Sequence, residues 1–220
     1  MTITRSIANA LLLLTAVFWG SASVVIKIAL DANASPGFIN FFRGFLFALL
    51  ILIFFYKKIV KMTFKDFKTG LIAGLLNFGG YITQTIGVQY TTPSSSSFIA
   101  ATYVVVIPFI AWAIYRKKLQ LKSFVSIFFC LLGMAILTGI VNESLTINIG
   151  DSYSFICALF YAATIVYLSY GVKSTDVSIV AFMLAVVQTI GGLFIFIFAE
   201  AGKLTEIDWS HAIVPLLYIG

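Results

Sequence analysis

Three features of the sequence predict an all-α polytopic membrane protein. Hydrophobic residues make up 61% of the 220 and charged residues only 10%, at a mean hydropathy of +1.07. No soluble domain hides so large an apolar share, because its own surface must still be covered with polar groups. The charges cluster between apolar runs of the length that crosses a bilayer. Those runs are continuous, which excludes the short alternating strands of a membrane β-barrel.

Seven spans follow in order, at 8–30, 37–56, 70–90, 96–115, 122–141, 152–171 and 177–199. The first has signal-peptide features: Arg5, an apolar core from Ala10 to Phe18, then Ser21-Ala22-Ser23. The apolar run continues through Val24, Val25 and Ile26, which predicts a retained helix. The third span opens on a GxxxG, Gly70 and Gly74, and Gly79-Gly80 are expected to interrupt it near the midplane. Pro108 removes a backbone donor inside the fourth span and is expected to kink it. Cys130 and Cys157 fall inside apolar spans, where they read as packing residues rather than a disulfide or zinc framework. An eighth span opens near Ala212 and reaches Gly220. It covers about 13 Å, under half of a hydrocarbon core of about 30 Å, so the chain is expected to end inside a helix.

The charge balance is basic, 14 Lys and Arg against 8 Asp and Glu. It reads as topology rather than as a nucleic-acid surface, because the bases occupy alternate loops. Arg5 precedes the first span; Lys57, Lys58, Lys61, Lys65 and Lys68 follow the second. Arg116, Lys117, Lys118 and Lys122 follow the fourth, and Lys173 follows the sixth. The opposite loops, DANAS, TTPSSSS, NESLTINIGDS and EAGKLTEIDWSH, contain one base, Lys203. The positive-inside rule therefore predicts a multi-pass protein of the cell (cytoplasmic) membrane with its N-terminus in the cytoplasm. Topology alone accounts for the five lysines, which could also touch anionic lipid.

An offset of 142 residues lays AVFWGSASVVIK (16–27) on ALFYAATIVYLS (158–169), pairing Phe18 with Phe160 and Trp19 with Tyr161. Five spans separate the two starts, and an odd-numbered repeat inserts its second copy upside down. FWGSASVVIK, FFRGFLFALL and GVQYTTPSSSSFIAATYVVVIPFIAW resemble the EamA-type branch of the drug/metabolite transporter superfamily. GDSYSFICALFYAATIVYLSYG resembles the opening of that branch's second repeat. The resemblance covers essentially the whole chain. It implies ten helices in two inverted five-helix bundles around a central cavity, carrying small metabolites. Residues 1–142 would form the first repeat and 150–220 an incomplete second one. The implied activity is that of a secondary transporter (permease) moving amino acids or related organic solutes by alternating access. Its partners would be a small-molecule substrate and the lipid bilayer, with no cofactor.

Candidate substrate-binding residues come from polar groups inside the spans. Lys27 is roughly 5 Å from the outer end of the first span, where snorkelling, pairing with Asp31 or a place in the cavity are all open. Arg43 is roughly 9 Å inside the second, deep enough to require a partner or a watery cavity. No Asp or Glu lies deep in a complete span, so the outer cavity should be positive. That suits an anionic or zwitterionic group better than an organic cation. Trp19, Ser23 and Lys27 recur every four residues as a slowly drifting stripe. Asn77, Tyr81 and Gln84 share one face of the third span, for substrate contact or interhelical hydrogen bonds. Tyr103 and Tyr161 complete the set. Tyr56, Trp112 and Tyr115, at inner span ends, read as interfacial anchors.

A membrane enzyme is disfavoured: the single histidine, His211, lies beside a loop, and no nucleophile, acid–base pair or metal cluster accompanies it. A membrane scaffold or accessory subunit is the alternative to a transporter. If the charge asymmetry sets insertion, a single cysteine at Ser144 should label from outside intact cells, and one at Lys61 only after permeabilisation. External labelling at Lys61 would reverse the orientation.

Overall fold

A computed structural model describes residues 5–116, 124–125, 127–129, 131–133, 148–172 and 175–220. Its principal helices are α1 (Arg5–Asp31), α2 (Pro36–Ile59), α3 (Phe64–Tyr90), α4 (Pro93–Ala101), α5 (Tyr103–Tyr115), α6 (Ile149–Val166), α7 (Val177–Ile195) and α8 (Trp209–Ile219). Among the described residues there is no strand. Six segments are long and apolar enough to cross a membrane: Asn9–Asp31, Pro36–Ile59, Phe64–Tyr90, Pro93–Tyr115, Ile149–Tyr170 and Val177–Glu206. The span expected at 122–141 lies largely outside the described residues, as do Cys130, Lys117, Lys118, Lys122, Ser144 and Lys173.

Polar caps fix where these helices begin. Thr63 and Asp66 form a reciprocal capping box that starts α3 at Phe64, six residues ahead of the expected edge. Lys65 and Lys68 therefore lie on helix, and of the five lysines only Lys61 is in the connector. Asn148 and Asp151 make a second box at α6. Asp176 caps α7 by accepting from the Ser178 N–H. α2 is capped from a distance: Ser35 makes no side-chain cap, and the Gly37 N–H donates to Glu200 Oε2 at 2.9 Å. A Cβ on Gly37 would lie 2.6 Å from that oxygen, so only glycine admits the carboxylate.

Two expected interruptions fall elsewhere. Gly79 and Gly80 lie inside an unbroken α3, where they make room for rings: added Cβ atoms would lie 2.7 Å from the Phe160 ring and 2.6 Å from the Tyr161 ring. Pro108 lies inside α5, and the break between α4 and α5 is at Thr102, a turn and a half upstream. There both the N–H and the hydroxyl of Thr102 turn to the Ile99 carbonyl, at 3.1 and 2.6 Å, tightening the chain into a short turn.

Packing centres on α2, α3, α6 and α7: α2 lies along α7, and α3 along both α6 and α7, while α1 meets α8. Glycines set the approach. Cβ atoms on Gly70 and Gly74 would meet Met183 and Val187 of α7, so the GxxxG is a packing face. A Cβ on Gly44 would lie 2.6 Å from the Thr189 nitrogen, and one on Gly192 would collide with the Phe41 nitrogen. These contacts are reciprocal. Gly44 and Gly192 share one separation, and so do Phe41 and Thr189; it is the 148 positions between Asn40 and Gln188.

Asn40 and Gln188 join at the same crossing. Gln188 Nε2 donates to Asn40 Oδ1 at 3.2 Å, and Asn40 Nδ2 donates to Thr85 Oγ1 at 3.0 Å and to the Pro36 carbonyl at 2.9 Å. All three side chains are buried. An unpaired buried donor or acceptor costs about 1–3 kcal/mol, whereas replacing both partners by apolar groups can be nearly neutral. Asn40→Leu alone should therefore lower thermal stability in detergent by about that amount. Asn40→Leu combined with Gln188→Leu should cost less than the sum of the single changes, as read from a thermal-melt double-mutant cycle.

Candidate functional site

Five of the nine candidate residues meet in one cluster built from α2, α3, α5 and α6. Arg43 on α2 places its guanidinium carbon 4.1 Å from the centre of the Tyr81 ring, within cation–π range. The Tyr81 and Tyr161 rings meet edge to face at 5.7 Å, and Tyr103 approaches Tyr161 in the same manner at 6.3 Å. Tyr161 Oη donates to Gln84 Oε1 at 2.7 Å, which leaves the Gln84 amide nitrogen as a donor. The local sequence permits this: Gly80 supplies the space into which the Tyr161 ring packs.

Arg43 is half-buried, and among the described residues no carboxylate lies within ion-pair distance of it and no hydrogen bond occupies its donors. A guanidinium carries five N–H donors in its plane, so stacking one face on a ring leaves that edge available. The cluster is braced from behind. The Tyr81 carbonyl accepts from Thr85 Oγ1 at 2.8 Å, and Thr85 in turn holds Asn40 and, through it, Gln188.

Four candidates stand apart. Asn77 is half-buried on α3, and no hydrogen bond or ring contact joins it to the cluster among the described residues. The α1 stripe does not share one environment: Trp19 is 68% exposed, Ser23 is buried, and Lys27 pairs with Asp31 at 3.3 Å. Residues 9–20 of α1 are exposed on every face and burial begins beyond them, so position along the helix separates Trp19 from Ser23. Of the three readings of Lys27, pairing one turn along is the one this geometry contains.

Asn40, Thr85 and Gln188, which brace the cluster, are not among the residues singled out from the sequence. Their signal was present, since each is a polar side chain inside an apolar span. Ser96 and Ser154 were missed likewise; their hydroxyls pair at 2.8 Å where α4 meets α6.

Near α8, Asp208, Ser210 and His211 draw together without forming a relay. Asp208 Oδ2 and Ser210 Oγ both face His211 Nδ1, at 2.7 and 3.1 Å, and all three residues are exposed. With the hydroxyl and the carboxylate on one ring nitrogen, the imidazole cannot pass a proton from one side to the other. Among the described residues no group of three or more His, Cys, Asp or Glu could hold a metal ion.

The comparisons with known proteins agree with this arrangement of apolar helices. Residues 6–139 match the profile of the EamA-like transporter family. The chain belongs to that family. It is also 35% identical over 178 residues to an "Uncharacterized transporter" of Archaeoglobus fulgidus, a match covering 81% of this chain and 54% of the relative. The chain thus spans about half the length of that curated relative. Membership of the EamA-like transporter family, with six membrane-length apolar segments among the described residues, marks it as a multi-pass membrane protein.

Ser210, then His211, hold the Asp208 carboxyl down to about 2 by hydrogen bonding. A depressed folded pKa means the cap's contribution is complete above the ordinary carboxylate value of about 3.9 and is lost as pH falls through about 2. Amide exchange at the start of α8 should therefore show protection that is constant between neutral pH and about 4 once corrected for intrinsic rates. Asp208→Ala should lose that protection at every pH.

Proposed function

We propose that this EamA-family chain belongs to a secondary transporter that moves a small metabolite across the cell membrane by alternating access. Arg43, Tyr81, Gln84, Tyr103 and Tyr161 would line its substrate site. The observation that carries this reading is the Arg43 guanidinium, half-buried in an apolar span, stacked on Tyr81 and without a carboxylate partner among the described residues. Such a group in a membrane core calls for an anion or a watery cavity. Amino acids and related carboxylates meet that need, with the tyrosine faces available to an apolar or planar portion.

The reciprocal contacts of α2 and α7 support an inverted repeat. A two-fold axis in the membrane plane maps one antiparallel helix onto the other and returns Gly44–Thr189 as Gly192–Phe41. The same operation would exchange the α1–α8 and α3–α6 pairs. Phe18 lies against Tyr218 of α8, and its offset counterpart Phe160 lies against Gly79 of α3. The operation relating α2 and α7 sets Gly191 opposite Arg43, so the positive charge is not repeated. Contacts at both ends of the α2–α7 pair, Gly37–Glu200 and Lys58–Asp176, suit gates that open in alternation. The basic loops place the N-terminus and the Lys58 end in the cytoplasm.

Flux of radiolabelled amino acids and organic anions into liposomes bearing the complete protein tests the reading. Saturable uptake supports a transporter; absence of flux for every solute, in folded protein, favours the scaffold alternative. Arg43→Gln should lower uptake efficiency by about ten- to a hundredfold, the worth of a hydrogen bond to a charged group. Arg43→Lys should recover only part of it, because an ammonium lacks the guanidinium fork. Lys27→Gln should matter less, since Lys27 already has Asp31. Unchanged uptake in well-expressed Arg43→Gln would remove Arg43 from the site.

A further inference from the structure

The corner between α2 and α3 holds five lysines within twelve residues, Lys57 to Lys68, and all five are exposed. Two carboxylates lie near them and both are engaged. Asp176 pairs with Lys58 at 2.8 Å, and Asp66 accepts from the Thr63 N–H and hydroxyl at 3.1 and 2.7 Å. Among the described residues no carboxylate is within ion-pair distance of Lys57, Lys61, Lys65 or Lys68.

The lysines are interleaved with exposed rings. Phe54 is 76% and Phe64 71% exposed. The Phe64 and Phe67 rings stack 6.4 Å apart, and Lys68 Nζ lies 4.7 Å from the centre of the Phe64 ring. Non-helical dihedrals at Phe55 (φ −120°, ψ 19°) bend the last turn of α2, which carries Lys57 and Lys58. A positive-inside signal needs the charges alone. It does not need large rings held bare beside them, and these would be unfavourable in water yet suited to the boundary between headgroups and acyl chains.

We propose that this corner is a binding surface for anionic phospholipid, with the lysines on the headgroup phosphates and Phe54, Phe64 and Phe67 seated at the top of the acyl chains. Charge complementarity supports this: four ammonium groups without a carboxylate partner among the described residues stand beside apolar rings suited to the layer just beneath the headgroups. It requires nothing of the Arg43 site, and neither proposal depends on the other.

The test uses the purified 220-residue chain in neutral detergent, titrated with phosphatidylglycerol or phosphatidylcholine and read by native mass spectrometry. Phosphatidylglycerol should bind in preference, and added salt should weaken it. Each lysine near an anionic surface contributes about a fivefold factor, so K57Q/K61Q/K65Q should weaken phosphatidylglycerol binding by about a hundredfold. The matching arginine triple should retain it, and Lys203→Gln should leave it unchanged. If the glutamine triple fails to fold, Lys61→Gln, in the connector, should still give about a fivefold loss. Phe64→Ala should weaken both lipids without removing the preference. Equal binding of the two lipids, or unchanged binding after lysine removal, would overturn the proposal. Displacement by millimolar inorganic phosphate, but not by sulfate at equal ionic strength, would reassign the surface to a free anion.

Discussion

A polar side chain placed in hydrocarbon must find its partners within the protein, and this structure is organised around three residues that do so. Asn40, Thr85 and Gln188 sit on α2, α3 and α7 and satisfy one another through direct bonds, with the Pro36 and Tyr81 carbonyls as outer acceptors. Each such bond in a membrane protein is worth only about 0.6 kcal/mol on average. The penalty for leaving one group unpaired is larger, which is why the triad specifies a single arrangement of the three helices. Glycines make that arrangement reachable. Gly44 and Gly192 bring the two backbones into contact on either side of the amide pair.

The candidate site depends on this crossing. Tyr81 lies one turn before Thr85 on α3, and its carbonyl is held by the Thr85 hydroxyl. Its ring is thereby positioned between Arg43 of α2 and Tyr161 of α6. Any shift of α3 against α2 and α7 would move the ring relative to the guanidinium. α2 and α7 are tied near the middle by uncharged amides and at each end by a contact that includes a carboxylate, Glu200 at one and Asp176 at the other.

Legibility from the sequence differed by residue for physical reasons. Arg43, Tyr81 and Gln84 were readable because a polar group inside an apolar run has to turn inward. The same logic applied to Asn40 and Gln188, but the amides drew less notice than the charge beside them. The Trp19–Ser23–Lys27 stripe spans two environments, because α1 is exposed on every face through Gly20 and packs only beyond it. Thr63 and Asp66 carry a capping-box pattern that hydropathy passes over, so hydropathy alone starts α3 about two turns late. Gly79-Gly80 and Pro108 have backbone properties that permit a break without requiring one. In α3 the two glycines instead make room for the rings of Phe160 and Tyr161, and the fourth span breaks at Thr102.

Hydropathy, charge placement and span length by themselves determined that the chain is helical, multi-pass and membrane-embedded, since each follows from the cost of moving a residue between water and lipid. The same quantities located Arg43 and the polar face of α3. Tertiary structure alone decided which polar groups meet. Arg43 of α2 meets the Tyr81 ring of α3, and Tyr81 in turn meets Tyr161 of α6. Tyr161 and Gln84 are 77 residues apart, and Asn40 and Gln188 are 148 apart. Contacts over such distances arise from helix packing, to which the energy of no single span refers.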